Sequence, residues 1–347
     1  MFLEQIGADA HIRALFQPHA AQRLELGRVS FAAREQYRIH LEDGDCEAVP
    51  AGRLRHEDVL PAVGDWVAAR QVDPKLALIE AVLPRRTKLS RRAAGGTVTE
   101  QVIAANLDLA VIVCGLDGDF NVRRLERYLV LARESGVDAL IVLNKRDLCE
   151  DVPDRLARVA AVAQRVPRLV MSARESVQDL RSLVRGRTVA FLGSSGVGKS
   201  TIVNALIGEQ RQTTLPVREA DSRGRHTTTN RMLIPLAEGG AVIDTPGMRE
   251  LQLWATEDSL DDVFDDVAAL ALRCRFRDCS HTNEPECAVQ SALQSGEIDS
   301  SRWRSYCKLQ AELRRELLQQ DALARTAAKA KWKAIHKAMR NHPKYRS

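Results

Sequence analysis

The chain has 347 residues, of which 45% are hydrophobic and 28% charged, and its formal net charge is +5 at pH 7. This composition excludes a disordered or fibrous protein and predicts two or three globular domains, each able to bury a core. The longest apolar stretch near the middle, residues 107–116, contains Asp108 and is too short to span a membrane. The first ten residues lack the features of a secretory signal, so we expect a cytoplasmic protein without membrane contacts.

The first third of the chain is predicted to form a small β domain. Between Arg28 and Glu80, short apolar and β-branched segments alternate with turn signals such as Asp43-Gly44-Asp45 and Gly64-Asp65. Helical periodicity is weak throughout this segment, which favours strands.

The middle of the chain alternates apolar runs with helical segments. A helical pattern covers residues 124–135, and the apolar runs lie at residues 109–113, 139–143, 169–171, 189–192 and 241–243. Buried parallel strands joined by crossover helices produce this alternation, so we predict an α/β domain. From Ser259 onward the pattern is helical, apart from a cluster of cysteines.

Asn144-Lys145-Arg146-Asp147 directly follows the second of these predicted strands. This position is the carboxyl edge of a parallel sheet, where such folds bind ligands. The Asp147 carboxylate can accept from the ring N–H and the exocyclic amine of guanine, a pair that adenine does not offer, and it would therefore select GTP over ATP. A surface loop is the alternative for the tetrapeptide alone, but its position after a buried strand favours base recognition. The predicted base-binding residues are Asn144, Lys145, Asp147 and, after the next strand, Ser172 and Ala173.

A phosphate-binding loop is predicted between the strand at residues 189–192 and a helix at 199–207. Its backbone N–H groups would surround the phosphates, Lys199 would reach the terminal phosphates, and the Ser200 hydroxyl would bind Mg²⁺. A glycine-rich turn without a ligand is the alternative, and the flanking strand and helix argue against it. The predicted nucleotide-binding residues here are Gly193, Ser194, Ser195, Gly196, Val197, Gly198, Lys199, Ser200 and Thr201.

Two further segments complete the predicted magnesium site. Asp244-Thr245-Pro246-Gly247 offers an acid that can hold Mg²⁺ through water and, at Gly247, an N–H for the γ-phosphate. In the preceding loop, Gly224 to Thr229, one threonine would bind the metal directly; we favour Thr228, with Thr227 and Thr229 left open. The alternatives are a Pro-Gly turn for the first segment and a solvated connector for the second.

The predicted catalytic residues are inferred from the absence of a water-orienting glutamine. The residue after Gly247, where many GTPases carry a water-orienting glutamine, is Met248, whose thioether cannot position water. We therefore expect slow intrinsic hydrolysis and a partner that completes the site. The nearest candidate for handling the attacking water is His226, although a histidine in such a loop can also be merely solvated. The predicted catalytic set is His226, Lys199 and Thr228.

The order of these motifs is unusual. In ordinary GTPases the phosphate loop comes first, whereas here Asn144 and Ser172 both precede Gly193. Permutation changes the connections between strands but leaves their packing intact. The sequence therefore predicts a circularly permuted P-loop GTPase domain.

Three thiolates and one imidazole lie close together near residue 280. They have the composition of a closed structural zinc site, and in a cytoplasmic chain clustered cysteines favour metal over disulfides. Buried free cysteines beside a surface histidine are the alternative. We predict one structural Zn²⁺ per chain, bound by Cys274, Cys279, His281 and Cys287.

Together these motifs resemble those of the ribosome small-subunit-dependent GTPase A family (RsgA, also called YjeQ), a group of circularly permuted bacterial GTPases. The resemblance extends to Gly64-Asp65-Trp66-Val67 and to Leu116-Asp117-Gly118-Asp119-Phe120-Asn121. It implies an amino-terminal β-barrel (OB-fold), a permuted GTPase domain and a carboxy-terminal helical zinc-binding domain. The expected boundaries are an extension at 1–25, the barrel at 26–95, the GTPase domain at 96–255, and the zinc domain with a basic tail at 256–347.

The resemblance also implies a function. Family members bind the small (30S) ribosomal subunit, assist its late maturation, and hydrolyse GTP to GDP and phosphate to time their release. We therefore expect 16S rRNA as a partner, stimulation of hydrolysis by the subunit, and a monomeric protein. In the family the position of Met248 is likewise apolar, and a histidine resembling His226 has been implicated in catalysis. The candidate RNA contacts are the tail after Asp321, which lacks acidic residues, and Arg85, Arg86, Lys88, Arg91 and Arg92, where the β domain ends.

Two other classes of function are considered. One is an RNA-binding module whose nucleotide site has negligible turnover, but the presence of Lys199, Ser200 and Asp244 favours an enzyme. The other is a regulator that binds DNA through the zinc knuckle, but four ligands this close together leave little room for a recognition helix.

Overall fold

The computed structural model describes residues 1–318 except 34–35, 58, 93–99, 209–230, 245–255, 283 and 316. The chain forms two compact units: residues 1–89 with 102–251, and residues 90–101 with the chain from 252 onward. In the described part of the chain, no helix is both long and apolar enough to cross a membrane.

Five strands close into an OB-type barrel in the first unit. The strand order is β1-β2-β3-β5-β4, and β4 pairs again with β1 to close the ring. The β3–β5 pairing is parallel and the others are antiparallel. Alternate side chains fill the interior, among them Val29, Ile39 and Val67, which are fully buried. The strands are β1 (Glu25–Ala33), β2 (Gln36–Leu41), β3 (Gly44–Pro50), β4 (Trp66–Asp73) and β5 (Leu76–Val82), and α3 (Gly52–His56) precedes β4.

The GTPase part is a sheet of strand order β10-β9-β8-β11-β13-β12 with crossover helices. All five predicted strands are present and pair in parallel, because their apolar side chains are buried in the core. The strands are β8 (Leu109–Gly115), β9 (Asp138–Asn144), β10 (Arg168–Val170), β11 (Thr188–Leu192), β12 (Arg231–Pro235) and β13 (Ala241–Asp244). The helices are α4 (Val122–Glu134), α5 (Val152–Val162), α6 (Gln178–Val184) and α7 (Lys199–Ile207).

The barrel and the GTPase sheet are continuous. They are joined by β12, which was not predicted from the sequence and which runs antiparallel to β13 on one side and to β1 of the barrel on the other. Phe31 lies opposite Met232 and Ala32 opposite Arg231. The result is a single eleven-stranded sheet that passes through both parts of the unit.

A buried arginine connects three segments of the first unit. Arg28 on β1 is 1% exposed, and its guanidinium donates to the carbonyl oxygens of Ile6, of Gly64 at 3.4 Å and of Asn106 at 3.2 Å. The same group lies 4.8 Å from the centre of the Trp66 ring. Burial lowers the pKa of Arg28 to about 10, so it remains charged at neutral pH. Arg28 thus joins the amino-terminal segment, the barrel and the entry to the GTPase sheet.

The amino-terminal extension is folded against the barrel. Helix α1 (Phe2–Gln5) is followed by α2 (Ala10–Ala20), where the Asp9 side chain caps the first turn by accepting from Ile12 N at 3.0 Å. Apolar residues of both helices pack against the barrel around Trp66. Asp9 also accepts from Arg86, with both carboxylate oxygens at 2.6 Å.

The second unit is mainly helical, as predicted. Arg302, on a helix that begins at residue 300, forms a bidentate ion pair with Asp266 at 2.7 and 2.9 Å and lies over the Phe264 ring. The preceding helices are α8 (Glu257–Val263), α9 (Asp265–Ala271) and α10 (Ala288–Ser295).

A separate two-stranded sheet consists of β6 (Lys88–Arg92) and β7 (Glu100–Ala105).

Gly64 is expected to be intolerant of any side chain. Its φ is +92°, and a Cβ there would overlap the carbonyl oxygen of Ala105 and lie 2.8 Å from Ile243 Cδ1. Backbone strain and overpacking together should lower the free energy of unfolding of Gly64→Ala by about 2–4 kcal/mol. Urea unfolding measures this loss. Gly52→Ala is the control, because a Cβ at Gly52 meets nothing within 4 Å. Equal stability of the two variants would contradict the packing described for Gly64.

Candidate nucleotide-binding site and metal cluster

The predicted phosphate loop connects β11 to α7. Gly193, Gly196 and Gly198 have φ values of +141°, +80° and +100°, which side-chain-bearing residues rarely adopt. A Cβ at Gly193 would also overlap the carbonyl oxygen of Val113 on the neighbouring strand. Helix α7 begins at Lys199, as predicted, so its first N–H groups belong to the loop. The Lys199 Nζ donates to the carbonyl oxygens of Gly193 at 2.6 Å and Ser194 at 2.5 Å, which places the amine over the loop.

Asn144 connects the phosphate loop to the predicted base-binding loops. It is the last residue of β9 and is 3% exposed. Its Nδ2 donates to Val197 O at 2.9 Å, and its Oδ1 accepts from Ala173 N at 2.9 Å. The one amide group therefore holds together three loops that lie far apart in the sequence. The sequence pattern predicts a role for Asn144 in base recognition but gives no sign of this bridging role.

The remaining base-binding candidates surround Asn144. Lys145 has a φ of +65°, and its left-handed conformation turns the chain into a short 3₁₀ helix, Arg146–Leu148. Asp147 is exposed on this helix, and Arg146 N donates to Met171 O at 3.1 Å. Ser172 is 3% exposed, and its Oγ has no hydrogen-bond partner among the described residues. Because buried hydroxyls are nearly always hydrogen-bonded, this one fits a ligand contact.

Asp117, for which no role was predicted, contacts the predicted base-binding residue Lys145. Its Oδ2 lies 2.5 Å from Lys145 Nζ, and this hydrogen-bonded ammonium holds the pKa of Asp117 below its usual value. The signal was present in the acidic segment Asp117-Gly118-Asp119, but spacing alone could not show which cation it contacts.

The magnesium candidates are partly within the described residues. Ser200 and Thr201 are exposed near the start of α7, and Asp244 ends β13, the parallel neighbour of β11. The phosphate loop and Asp244 therefore follow adjacent strands at the same edge of the sheet. Outside the described residues lie Thr227, Thr228, Thr229, His226, Gly247, Met248 and the basic tail.

The four predicted metal ligands are close together in the second unit. One ligand atom from each of Cys274, Cys279, His281 and Cys287 lies within 4.8 Å of the others, so the group could hold a metal ion. The Cys274 and Cys287 sulfurs are 3.9 Å apart, and each lies 3.5 Å from His281 Nδ1. Cys287 also caps α10, accepting from Gln290 N. All seven cysteines of the chain are free.

Comparison with known proteins decides the family. A model of the RsgA GTPase family matches residues 82–254. A small ribosomal subunit biogenesis GTPase RsgA from Opitutus terrae is 44% identical over 98% of this chain and 97% of its own length. The chain belongs to the RsgA GTPase family.

Solved structures support the same assignment. YjeQ from Thermotoga maritima matches with a TM-score of 0.63 at 27% identity, covering 84% of this chain and 98% of its own. YloQ, described as a circularly permuted GTPase, matches with a TM-score of 0.60 at 27% identity, covering 84% of this chain and 96% of its own. The predicted fold class is confirmed: a circularly permuted α/β GTPase domain with an OB-type barrel and a helical Cys/His domain. As a member of this GTPase family, the chain is a GTP phosphohydrolase, so the alternative of an RNA-binding module without turnover is set aside.

Asn144→Asp should detach the phosphate loop. A carboxylate cannot donate to Val197 O, so a buried carbonyl loses its partner and faces a negative charge. We expect affinity for GDP and GTP to fall about 10-fold or more, measured by isothermal titration calorimetry. Asn121→Asp is the matched control, because Asn121 Oδ1 only accepts from Arg123 N and Arg124 N at the start of α4, which a carboxylate does equally well. Equal affinities for the two variants would refute the bridging role.

Proposed function

We propose that this GTPase binds the small (30S) ribosomal subunit, assists its late maturation, and uses GTP hydrolysis to time its release. The observation that carries the proposal is the continuity of an OB-type barrel, a fold that binds nucleic acids, with the sheet whose edge carries the nucleotide loops. The relatives named small ribosomal subunit biogenesis GTPase align over nearly the whole chain, which supports the same partner. The proposed location is the cytoplasm, where the protein would act as a monomer.

The proposed nucleotide site uses the carboxyl edges of β9, β10, β11 and β13. Residues 193–201 would bind the phosphates, with Lys199 on the terminal ones, and Asp147 would accept from guanine while Ser172 and Ala173 lie beside the base. Ser200 and Thr228 would bind Mg²⁺ directly, and Asp244 would bind it through water. When bound, Mg²⁺ neutralises charge that develops on the phosphates. His226 is the proposed group that handles the attacking water.

The basic surface of the barrel is the proposed RNA contact. Helix α3 exposes Arg53, Arg55 and His56, while its Leu54 anchors the helix in the barrel core. Two of the basic residues first considered serve other contacts. Arg85 forms an ion pair with the fully buried Asp65 at 2.7 Å, and Arg86 pairs with Asp9. Because carboxylates already neutralise Arg85 and Arg86, the proposed RNA contacts at the end of the barrel are Lys88, Arg91 and Arg92. Lys88 is exposed on β6, and Arg91 donates to the uncharged amide of Gln101 at 3.0 Å. The division into domains at 26–95, 96–255 and 256–347 is also kept as a proposal.

The metal of the Cys/His cluster is proposed to be Zn²⁺, one ion per chain. With metal–sulfur bonds of about 2.3 Å and metal–nitrogen bonds of about 2.0 Å, a tetrahedral site has edges of about 3.8 Å between sulfurs and about 3.5 Å between sulfur and nitrogen. The distances among Cys274, Cys287 and His281, 3.9 and 3.5 Å, fit these edges, and the ligand atom of Cys279 lies within 4.8 Å of the other three. Such an ion would stabilise the helical unit, since the ligands come from a loop and from the start of α10.

Stimulation by the subunit is the decisive test of the proposed function. Hydrolysis by the purified protein should be slow alone and should rise strongly with purified 30S subunits; partner stimulation reaches about 10³–10⁵ fold in other GTPases. Because lysines and arginines that neutralise phosphates release counterions, subunit binding should weaken steeply with salt. The double variant Arg53→Gln/Arg55→Gln should bind subunits less well and keep its basal rate. Hydrolysis that 30S subunits leave unchanged would rule out the proposed partner.

Removal of one cysteine should release the zinc. Elemental analysis of the purified protein should find about one zinc per chain, and Cys279→Ser should lower both this content and the thermal stability of the second unit. GTP binding should be retained. The control is Cys307→Ser, which changes a free cysteine on the helix that begins at residue 300 and should keep its zinc. Purified parent protein without zinc would contradict the assignment.

A further inference from the structure

We propose that Asp117 is a positioning residue for guanine recognition. Its carboxylate holds Lys145, and through Lys145 it fixes the conformation of the turn that presents Asp147. The inference rests on the proposed role of Asp147 in binding guanine.

The contact between the two side chains is short and well supported. Asp117 Oδ2 lies 2.5 Å from Lys145 Nζ, and the two side chains are 25% and 26% exposed. Asp117 Oδ1 accepts from Asp119 N at 3.2 Å, so each carboxylate oxygen has its own donor. A Cβ at Gly115 would lie 2.7 Å from Asp117 Oδ1, so glycine at that position leaves room for the carboxylate. The carboxylate is therefore held in place before it reaches Lys145.

Lys145 is the residue whose backbone needs support. Its φ is +65°, a left-handed conformation that costs an L-residue free energy. Asp147 follows it by two residues, on the 3₁₀ helix that this turn begins. A half-buried ion pair that fixes the Lys145 side chain favours the strained turn over extended alternatives. The backbone provides a second link between the same loops, because Leu116 N donates to Asn144 O at 2.8 Å.

The other side chains of the Asp117 loop have different partners. Asp119 pairs with Arg124 at 2.5 Å, and Asn121 caps α4. Phe120 lies against the guanidinium groups of Arg155 and Arg158, at 4.6 and 5.1 Å from its ring centre. These contacts anchor the loop to α4 and α5. Asp117 is thereby left as the side chain that links this anchored loop to the base-binding turn.

The test is the substitution Asp117→Asn. Asparagine keeps the size of the side chain and the acceptor for Asp119 N but removes the charge that holds Lys145. We expect affinity for GDP to fall about 5- to 10-fold, and affinity for IDP, which lacks the exocyclic amine, to fall less. The preference for GDP over IDP should therefore shrink at least about 3-fold. Calorimetry with GDP and IDP measures both quantities, and steady-state hydrolysis should show a raised KM for GTP with an unchanged kcat.

Glu4→Gln is the control. This variant removes a negative charge from an exposed ion pair with Arg13, at 2.8 Å, on the amino-terminal helices, and it should bind both nucleotides like the parent. In a double-mutant cycle, Asp117→Asn should cause no further loss of GDP affinity when it is added to Lys145→Met. If Asp117→Asn does not fold, Asp117→Ser removes the same charge with a smaller side chain, and the same changes are expected.

Two results would overturn the proposal. One is an unchanged preference for GDP over IDP in Asp117→Asn. The other is that Asp117→Asn lowers GDP affinity equally in the parent protein and in the Lys145→Met background. The assignment of Asp147 is tested separately by Asp147→Asn, which should abolish guanine preference and shift it toward xanthine nucleotides. Failure of that variant to change base preference would refute the base-binding turn itself. If only Asp117→Asn leaves the base preference unchanged, the base-binding role of the turn stands and only the proposed role of Asp117 is refuted.

Discussion

The Asn144 side chain is the interaction on which the nucleotide site depends. A single buried amide donates to the phosphate loop and accepts from the loop after β10, across 53 and 29 residues of sequence. Both partners are backbone groups, so the bridge requires the geometry of the loops and not the identity of their side chains. An amide suits this position because it offers a donor and an acceptor at once, which neither a carboxylate nor a hydrocarbon does.

This arrangement explains why the permuted order of motifs is tolerated. The loops of the site follow β9, β10, β11 and β13, and all of them leave the same edge of the parallel sheet. Asn144 connects the loop after β9 to the loops after β10 and β11, and the Asp117–Lys145 pair connects the loops after β8 and β9. Because these contacts run across strands, they do not depend on which loop comes first along the chain.

The sequence was informative where the signal is local. Strand β11, the glycines of the phosphate loop and the start of α7 at Lys199 could all be predicted, because backbone geometry and phosphate binding dictate the residue types. The Cys/His cluster was likewise evident from its spacing. What could not be predicted depends on contacts between distant segments. Strand β12 pairs with β1 of the barrel, which lies far away in the sequence. Arg28 resembles any surface arginine in a strand until its three carbonyl partners are known. The proposed catalytic roles of His226 and Thr228 stay predictions.

The placement of β12 between β13 and the barrel has a consequence for solubility. A sheet edge with unpaired N–H and C=O groups is a template for pairing with other chains, and proteins avoid leaving long edges uncovered. Here β1 pairs with the first two residues of β12 on its outer side, and the barrel to which β1 belongs is closed by the pairing of β1 with β4. At the opposite end of the sheet, β10 is only three residues long. The barrel therefore helps to protect the GTPase sheet from aggregation. A GTPase domain produced without the barrel would expose β12 as an unpaired edge strand that could pair with other chains.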